Sequence, residues 1–182
     1  MSADFQPLDD AAWPAGLADL RDGFAGRLNV YRVMAHHPEL LAAWAPLRAH
    51  VVTAPALTKQ QSEVVILRVG HHLRADYEWA HHVVRARAAG MGDHRIRALA
   101  GPLDGIDAAE DRVLARAVDE LMRDSRLLPG SRADLVAAVG AQGMFDLMAT
   151  VGFYSVLGFI VNSLETPIDA DITAALQERP LD

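Results

Sequence analysis

Apolar residues recur at intervals of three and four along most of the chain, the spacing of helices that bury one face. Thr58 is a good N-cap, and the apolar positions after it predict a helix that runs to about Leu73. A second helix is predicted from about Ala75 to Ala89 and stops at Gly90. The same spacing predicts further helices at 17–34, from Pro38, at 92–100, at 107–124, at 132–139 and from Gln142 or Gly143 to Leu164. No stretch alternates as a strand does, so the predicted fold class is all-α.

The chain is predicted to hold one domain, since 182 residues suffice for one full core. Residues 1–16 contain Pro7 and Pro14 and are predicted to be an irregular N-terminal arm. Residues 17–168 form the helical domain, and residues 169–182 a C-terminal tail. Ser131 is expected to cap the helix that starts at Arg132.

Composition narrows the classes of function. The hydrophobic share of 51% disfavours disorder, and the net charge of -7 disfavours a nucleic-acid binder, which needs a basic face. The N-terminal residues lack the basic and apolar regions of a signal peptide. With no cysteine in the chain, these features favour a cytoplasmic protein.

Residues 147–164 are the one stretch long enough to suggest a membrane span. They carry no formal charge over 18 residues, which is borderline for crossing a bilayer. They also contain glycines, serines and an asparagine, and acidic residues flank them. We therefore expect a buried helix and no membrane partner. Because its apolar residues point in several directions, we expect it to lie at or beside the subunit interface of a homo-oligomer.

Three side chains form the candidate site for chemistry. Glu63 stands at the head of an apolar run, where desolvation would raise a carboxyl pKa and suit it to proton transfer. Glu78 and His82 stand four residues apart and share one helix face, so the carboxylate could hold the imidazole. Local sequence leaves the plainer alternatives open: a first-turn glutamate favoured by the helix dipole, and a solvated Glu–His pair.

Other polar residues near this set are candidate binding groups. Arg74 and Arg85 are candidates to hold a substrate carboxylate, and the Tyr77 hydroxyl to reach a substrate. The set of Glu63, Glu78 and His82 could in principle bind a metal, but spacing alone does not assemble ligands, so no metal is expected.

The region from Leu57 to Gly90, LTKQQSEVVILRVGHHLRADYEWAHHVVRARAAG, resembles the carboxymuconolactone decarboxylase and alkylhydroperoxidase D (AhpD-like) superfamily. The peroxidase branch of that family shows Glu, eleven residues, Cys, two residues, Cys, three residues, His. The same spacing here reads Glu63, Ala75, Glu78, His82, so both cysteine positions have changed. Because a disulfide relay needs thiolates, intrinsic thiol peroxidase activity is excluded.

The resemblance implies an AhpD-like helical bundle that forms trimers, hexamers or dimers. It also implies a lyase or isomerase that acts by proton transfer on a small carboxylated or lactone-like substrate, without metal or organic cofactor. In this interpretation Glu63 and His82 share the proton transfer, and Glu78 orients His82. The alternatives are a non-catalytic helical binding or assembly protein of the same family, and a protein that is peroxidase-like by family inheritance only.

Overall fold

A computed structural model of the chain describes residues 5–181. Within that range the structure contains α-helices and short helical turns, and no strand. The α-helices are α1 (Ala18–Asp22), α2 (Asn29–Met34), α3 (Pro38–Arg48), α4 (Lys59–Leu73), α5 (Asp76–Ala88), α6 (Asp93–Ala98), α7 (Ala109–Asp124), α8 (Pro129–Ser163) and α9 (Ala170–Glu178). The predicted all-α fold is confirmed.

Helix α4 is the centre of the bundle, with α5, α7 and α8 packed around it. Its run from Val64 to Gly70 is buried on every side, so the helix has no solvent-facing stripe over that stretch. The helix begins as the sequence predicts. The Thr58 side chain accepts from the Gln61 backbone N–H and the Gln61 side chain accepts from the Thr58 N–H, a complete capping box.

The segment predicted as one helix over 17–34 is divided into two short helices. α1 ends at Gly23, a helical turn follows at Ala25–Arg27, and α2 begins only at Asn29. The two weak helix formers Gly23 and Gly26 lie in this interruption.

The helix predicted to start at Arg132, with Ser131 as its cap, starts three residues earlier at Pro129. Pro129 occupies the first turn of α8, where a missing N–H costs nothing. The Ser131 hydroxyl instead donates to Glu120 Oε1 at 2.5 Å, on the end of α7. The predicted gap after residue 139 corresponds to Gly140, whose φ of 74° and ψ of 173° break the helix.

Helix α8 is also long and apolar enough to cross a bilayer by composition alone. Half of its most apolar 18-residue window is nevertheless buried inside the fold, as in the core helix of a globular domain. Leu147, Phe153 and Leu157 supply much of that contact.

Residues 170–178, which the sequence placed in a tail, form α9 and pack on α5. Asp169 at the start of α9 is buried and ties three segments together. Its carboxylate accepts from the Tyr77 hydroxyl at 2.5 Å and from the Asn29 N–H at 3.1 Å, and lies 3.0 Å from His81 Nε2. The C-terminal helix is thereby held against α5.

Candidate active site

Glu63, Glu78 and His82 come together between the antiparallel helices α4 and α5. The chain reverses through Arg74, which adopts the left-handed conformation at φ 50° directly after α4. This reversal lays the middle of α5 on the first half of α4. Glu63 therefore faces His82, although nineteen positions separate them in the chain.

His82 and Glu63 form a short hydrogen bond. His82 Nδ1 lies 2.7 Å from Glu63 Oε2, and the imidazole is buried with 2% of its side chain exposed. A carboxylate only accepts, so Nδ1 carries the proton and donates it to Glu63. This fixes the tautomer and leaves Nε2 as the free acceptor.

Glu78 lies on the other side of the ring. Its Oε2 is 3.7 Å from His82 Nε2, too far for a hydrogen bond, and its Oε1 has no hydrogen-bond partner among residues 5–181. Burial raises the pKa of Glu78 to about 8, although the charge of Arg85 acts to lower it. Glu78 is thus mostly a neutral carboxylic acid at pH 7.

His82 is neutral, unlike an exposed histidine that a salt bridge keeps protonated. Burial lowers its pKa below the usual value, although the negative charge of Glu63 opposes the shift. Tyr154 packs edge-on against the ring at 5.0 Å between centroids, and its own burial raises the pKa of its hydroxyl. The site therefore contains a neutral imidazole between a carboxylate and a neutral acid.

A cavity of about 450 Å³ opens beside this group. Glu63, His82 and Tyr154 lie in its wall, and loop residues between Val51 and Leu57 close its far side. A small chamber of about 10 Å³ lies behind His82 and is lined by Glu78, Arg85 and Tyr154 among others. His82 separates the two spaces, so its ring has access to the cavity and to the acid behind it.

The cavity wall is rich in cations. Arg48, Lys59 and Arg85 line it, against the single carboxylate of Glu63. The Arg85 guanidinium has no hydrogen-bond or ion-pair partner in the described part of the chain. Arg48 is held by aromatic rings, with its guanidinium 4.0 Å from the centroid of Phe24. Such a wall favours an anionic ligand.

Two residues named from the sequence as substrate-binding lie elsewhere. Arg74 lies in a separate surface depression with His71 and Trp79, at the turn between α4 and α5. The Tyr77 hydroxyl is occupied by Asp169 and by the Val30 N–H. Neither side chain lines the cavity beside His82, while Arg85 does.

The expected division of roles between the two glutamates also needs correction. The i, i+4 spacing suggested that Glu78 holds His82, but the carboxylate that hydrogen-bonds the ring is Glu63. Glu78 lies one helix turn before His82, so the two side chains are close, but the carboxyl group does not reach hydrogen-bond distance of the ring. The helix-to-helix contact decides which carboxylate orients the ring.

Sequence reasoning missed Tyr154, Arg48 and Lys59. Tyr154 lay in the segment interpreted only as a buried apolar helix, and a tyrosine in such a run is a weak signal of a polar site. Arg48 and Lys59 are on other elements, and nothing in their local sequence connects them to His82. Within residues 5–181 no group of three histidine, aspartate or glutamate side chains is placed to hold a metal ion.

One family model matches the central part of the chain. Residues 38–120 match the model of the carboxymuconolactone decarboxylase family, and this segment contains Glu63, Glu78 and His82. No curated protein sequence matches the chain.

Solved structures share the fold at low sequence identity. An uncharacterised peroxidase-related protein from Silicibacter sp. TM1040 is 15% identical with a TM-score of 0.76, covering 93% of this chain and 95% of its own. A peroxidase-related AhpD core protein from Ralstonia eutropha JMP134 is 15% identical with a TM-score of 0.76, covering 94% and 96%. A variant of the debrominase Bmp8 in complex with 2,3,4-tribromopyrrole is 15% identical with a TM-score of 0.78, covering 100% and 99%.

The matched segment, the AhpD-like bundle and the position of Glu63 and His82 agree with one another. Residues 38–120 are thus similar to the carboxymuconolactone decarboxylase family, the chain shares the AhpD-like fold, and it has alanine and glutamate at the two positions where the peroxidase branch has cysteines.

Proposed function

We propose that this protein is a cofactor-independent acid–base enzyme, a lyase or isomerase that acts on a small carboxylated or lactone-like molecule in the cytoplasm. One observation carries the proposal. A neutral His82 stands between the Glu63 carboxylate and the neutral acid of Glu78, at the wall of a cavity of about 450 Å³. Paired groups whose environments push their pKa values apart are the usual arrangement for acid–base chemistry.

Each side chain then has a distinct role. Glu63 accepts a hydrogen bond from the Nδ1–H of His82. This keeps the proton on Nδ1 and leaves Nε2 free to take a proton from the substrate. Glu78 carries the proton that can be given back, because burial keeps it protonated near neutral pH. For an isomerase, one proton leaves a carbon atom and one returns to another.

For a lyase that releases CO2, the same groups balance the reaction. The bond between the substrate carbon and its carboxylate breaks, and the electron pair stays on the substrate as a carbanion or dienolate. His82 passes a proton from Glu78, which lies behind the ring, to that carbon, and solvent restores the proton to Glu78 by the same route. One proton is consumed for each CO2 released.

The charge of the wall supports a carboxylated substrate. The whole chain carries a net charge of -7, yet Arg48, Lys59 and Arg85 surround the cavity. Arg85 offers a free planar fork of donors that suits a carboxylate. A carboxylate held by Arg85 in the cavity would also lie beside His82, because both residues line the cavity wall.

Thiol chemistry does not fit this chain, because it contains no cysteine. The debrominase Bmp8 shows that the shared fold can accommodate a small ring compound. That likeness supports a small cyclic ligand for this cavity. We do not extend the debromination activity of Bmp8 to this chain.

The test is a screen of carboxylated lactones and enol acids. Turnover would be followed by CO2 release and by uptake of solvent deuterium into the product, which NMR detects. The matched controls are His82→Ala, which should abolish both signals, and His94→Ala, whose exposed side chain lies outside the cavity. Exchange or CO2 release that His82→Ala leaves unchanged would take His82 out of the mechanism, and a wild type that gives neither signal across the screen would favour the non-catalytic binding protein.

A further inference from the structure

The small chamber behind His82 is bordered by polar groups that the fold leaves without partners. Glu78 is 4% exposed, and its Oε1 has no hydrogen-bond partner among residues 5–181. The Tyr154 hydroxyl and the Arg85 guanidinium belong to residues that border the same chamber, and neither group makes a hydrogen bond within the described part of the chain. Polar groups at this depth are normally satisfied, so the three call for a common partner.

Other polar side chains around the chamber are already engaged. The Tyr77 hydroxyl donates to Asp169 and accepts from the Val30 N–H. His81 Nε2 lies 3.0 Å from the same aspartate. This contrast singles out Glu78, Tyr154 and Arg85 as the groups with unused hydrogen-bonding capacity.

We infer that the chamber binds a single water molecule, which links Glu78 to His82 Nε2 as a proton relay. The chamber leaves about 10 Å³ for the centre of a water molecule, close to the minimum for one and too little for two. Glu78 Oε2 lies 3.7 Å from His82 Nε2, too far for a direct hydrogen bond, and the second oxygen, Oε1, is free to hold the water. The relay rests on the proposed function, whereas the water site stands without it.

The polar groups match the bonding capacity of one water, which has two hydrogens and two lone pairs. The water accepts from the Glu78 O–H and from an Arg85 N–H. It donates to His82 Nε2 and to the Tyr154 oxygen. Glu78 has an O–H to offer because burial raises its pKa to about 8, and Nε2 accepts because Nδ1 carries the ring proton. Buried waters typically make about three such bonds.

The relay moves one proton through two hydrogen bonds. The Glu78 O–H bond breaks as the water takes that proton, and one of the water's own O–H bonds breaks as its proton passes to Nε2. The products are a Glu78 carboxylate, an imidazolium at His82 and the same water. Both new charges are stabilised, because the Arg85 charge favours the carboxylate and the Glu63 charge favours the imidazolium.

A high-resolution crystal structure of the wild type tests the site directly. We expect one water within about 3.2 Å of Glu78 Oε1 and of either His82 Nε2 or the Tyr154 hydroxyl. A chamber without a water overturns the inference. A chloride ion in its place, or a direct hydrogen bond from Glu78 to Tyr154, overturns it as well.

Val30→Ile tests the water in solution without any substrate. Val30 lines the chamber, and one more methylene there takes the space that the water occupies. Val33→Ile is the matched control, because both valines lie in α2 at 2% exposure and Val33 does not border the chamber. Displacing the water removes a hydrogen bond from the Glu78 carboxylate, so the pKa of Glu78 should rise by about one unit in Val30→Ile.

Urea unfolding as a function of pH measures that rise. An acid with a higher folded pKa keeps its extra proton to a higher pH, so the fall of stability with rising pH should end about one unit later in Val30→Ile. The wild type and Val33→Ile should agree with each other. An end point that Val30→Ile shares with Val33→Ile contradicts the water. The titratable and charged groups around Glu78 are the same in all three proteins: Tyr31 of α2, Glu63 of α4, Tyr77, His81, His82 and Arg85 of α5, Tyr154 of α8, and Asp169 before α9.

The relay itself is tested on the substrate found by the screen. Val30→Ile should lower kcat by about tenfold or more with KM nearly unchanged, and Val33→Ile should match the wild type. Unchanged kcat in a Val30→Ile protein that has lost the water overturns the relay. A screen without any turnover overturns the relay together with the proposed function, while the crystal structure and the Glu78 titration still decide the water site.

Discussion

Glu63 and His82 are joined by a 2.7 Å hydrogen bond that links helix α4 to helix α5. The bond sets the tautomer of the imidazole and directs its free nitrogen toward Glu78.

His82→Ala should lower turnover of the substrate found by the screen by roughly 10²–10⁴-fold, because it removes the proton-accepting group. The measurement is kcat/KM beside that of His94→Ala, which should match the wild type. A loss below threefold would take His82 out of the mechanism.

Glu63→Gln should lower kcat by about 10²-fold or more while leaving the fold intact. An amide accepts the Nδ1 proton more weakly than a carboxylate, so the tautomer with the proton on Nε2 gains population. Nitrogen-15 chemical shifts of the His82 ring report the tautomer without any substrate. An unchanged tautomer would show that Glu63 does not orient His82.

Glu78 should make the protein less stable as the pH rises from 6.5 to 8. Its folded pKa of about 8 lies above its ordinary 4.5, so the folded state holds more protons than the unfolded state in this window. The free energy of unfolding should fall by roughly 1 kcal/mol per pH unit and level off above pH 8.

Urea unfolding of the wild type and Glu78→Gln would measure this effect. The variant should lose the slope between pH 6.5 and 8, and Glu39→Gln, on an exposed carboxylate, should keep it. Below pH 6.5 the depressed pKa of His82 contributes in the opposite sense, because it lowers stability as the pH falls and so offsets the contribution of Glu78. Identical slopes in wild type and Glu78→Gln would contradict a raised pKa.

Arg85→Gln should raise KM at least tenfold for a carboxylated substrate, since a charge-assisted pair with a carboxylate is lost. The same change should raise the pKa of Glu78 further, because Arg85 acts to lower it. Arg74→Gln is the matched control, as Arg74 lies outside the cavity, and it should leave KM unchanged. Equal effects from both arginines would argue against Arg85 as the anion site.

The purified protein should not reduce hydroperoxides with any thiol reductant above the rate of the reductant alone. The relay needs two thiolates, and the chain has none. Coupled consumption of the reductant measures the rate. Turnover that survives repurification and scales with this protein would contradict the acid–base interpretation.

The sequence by itself determined the helical class, most helix positions and the absence of thiol chemistry. The periodic apolar residues and the Thr58 cap act over one or two turns, so they can be recognised without the rest of the chain. The i, i+4 spacing likewise placed Glu78 beside His82. It could not fix the angle and distance between them, which the structure sets at 3.7 Å.

Tertiary structure alone decided which carboxylate bonds His82, which further side chains line the cavity, and which groups are charged. The left-handed turn at Arg74 packs α5 against α4. This packing brings His82 into hydrogen-bond contact with Glu63 and leaves Arg74 outside the cavity. Burial by helices far along the chain keeps Glu78 neutral and brings Tyr154 against the ring. Neither desolvation nor contacts between distant segments can be predicted from local sequence, because both arise only when the helices pack.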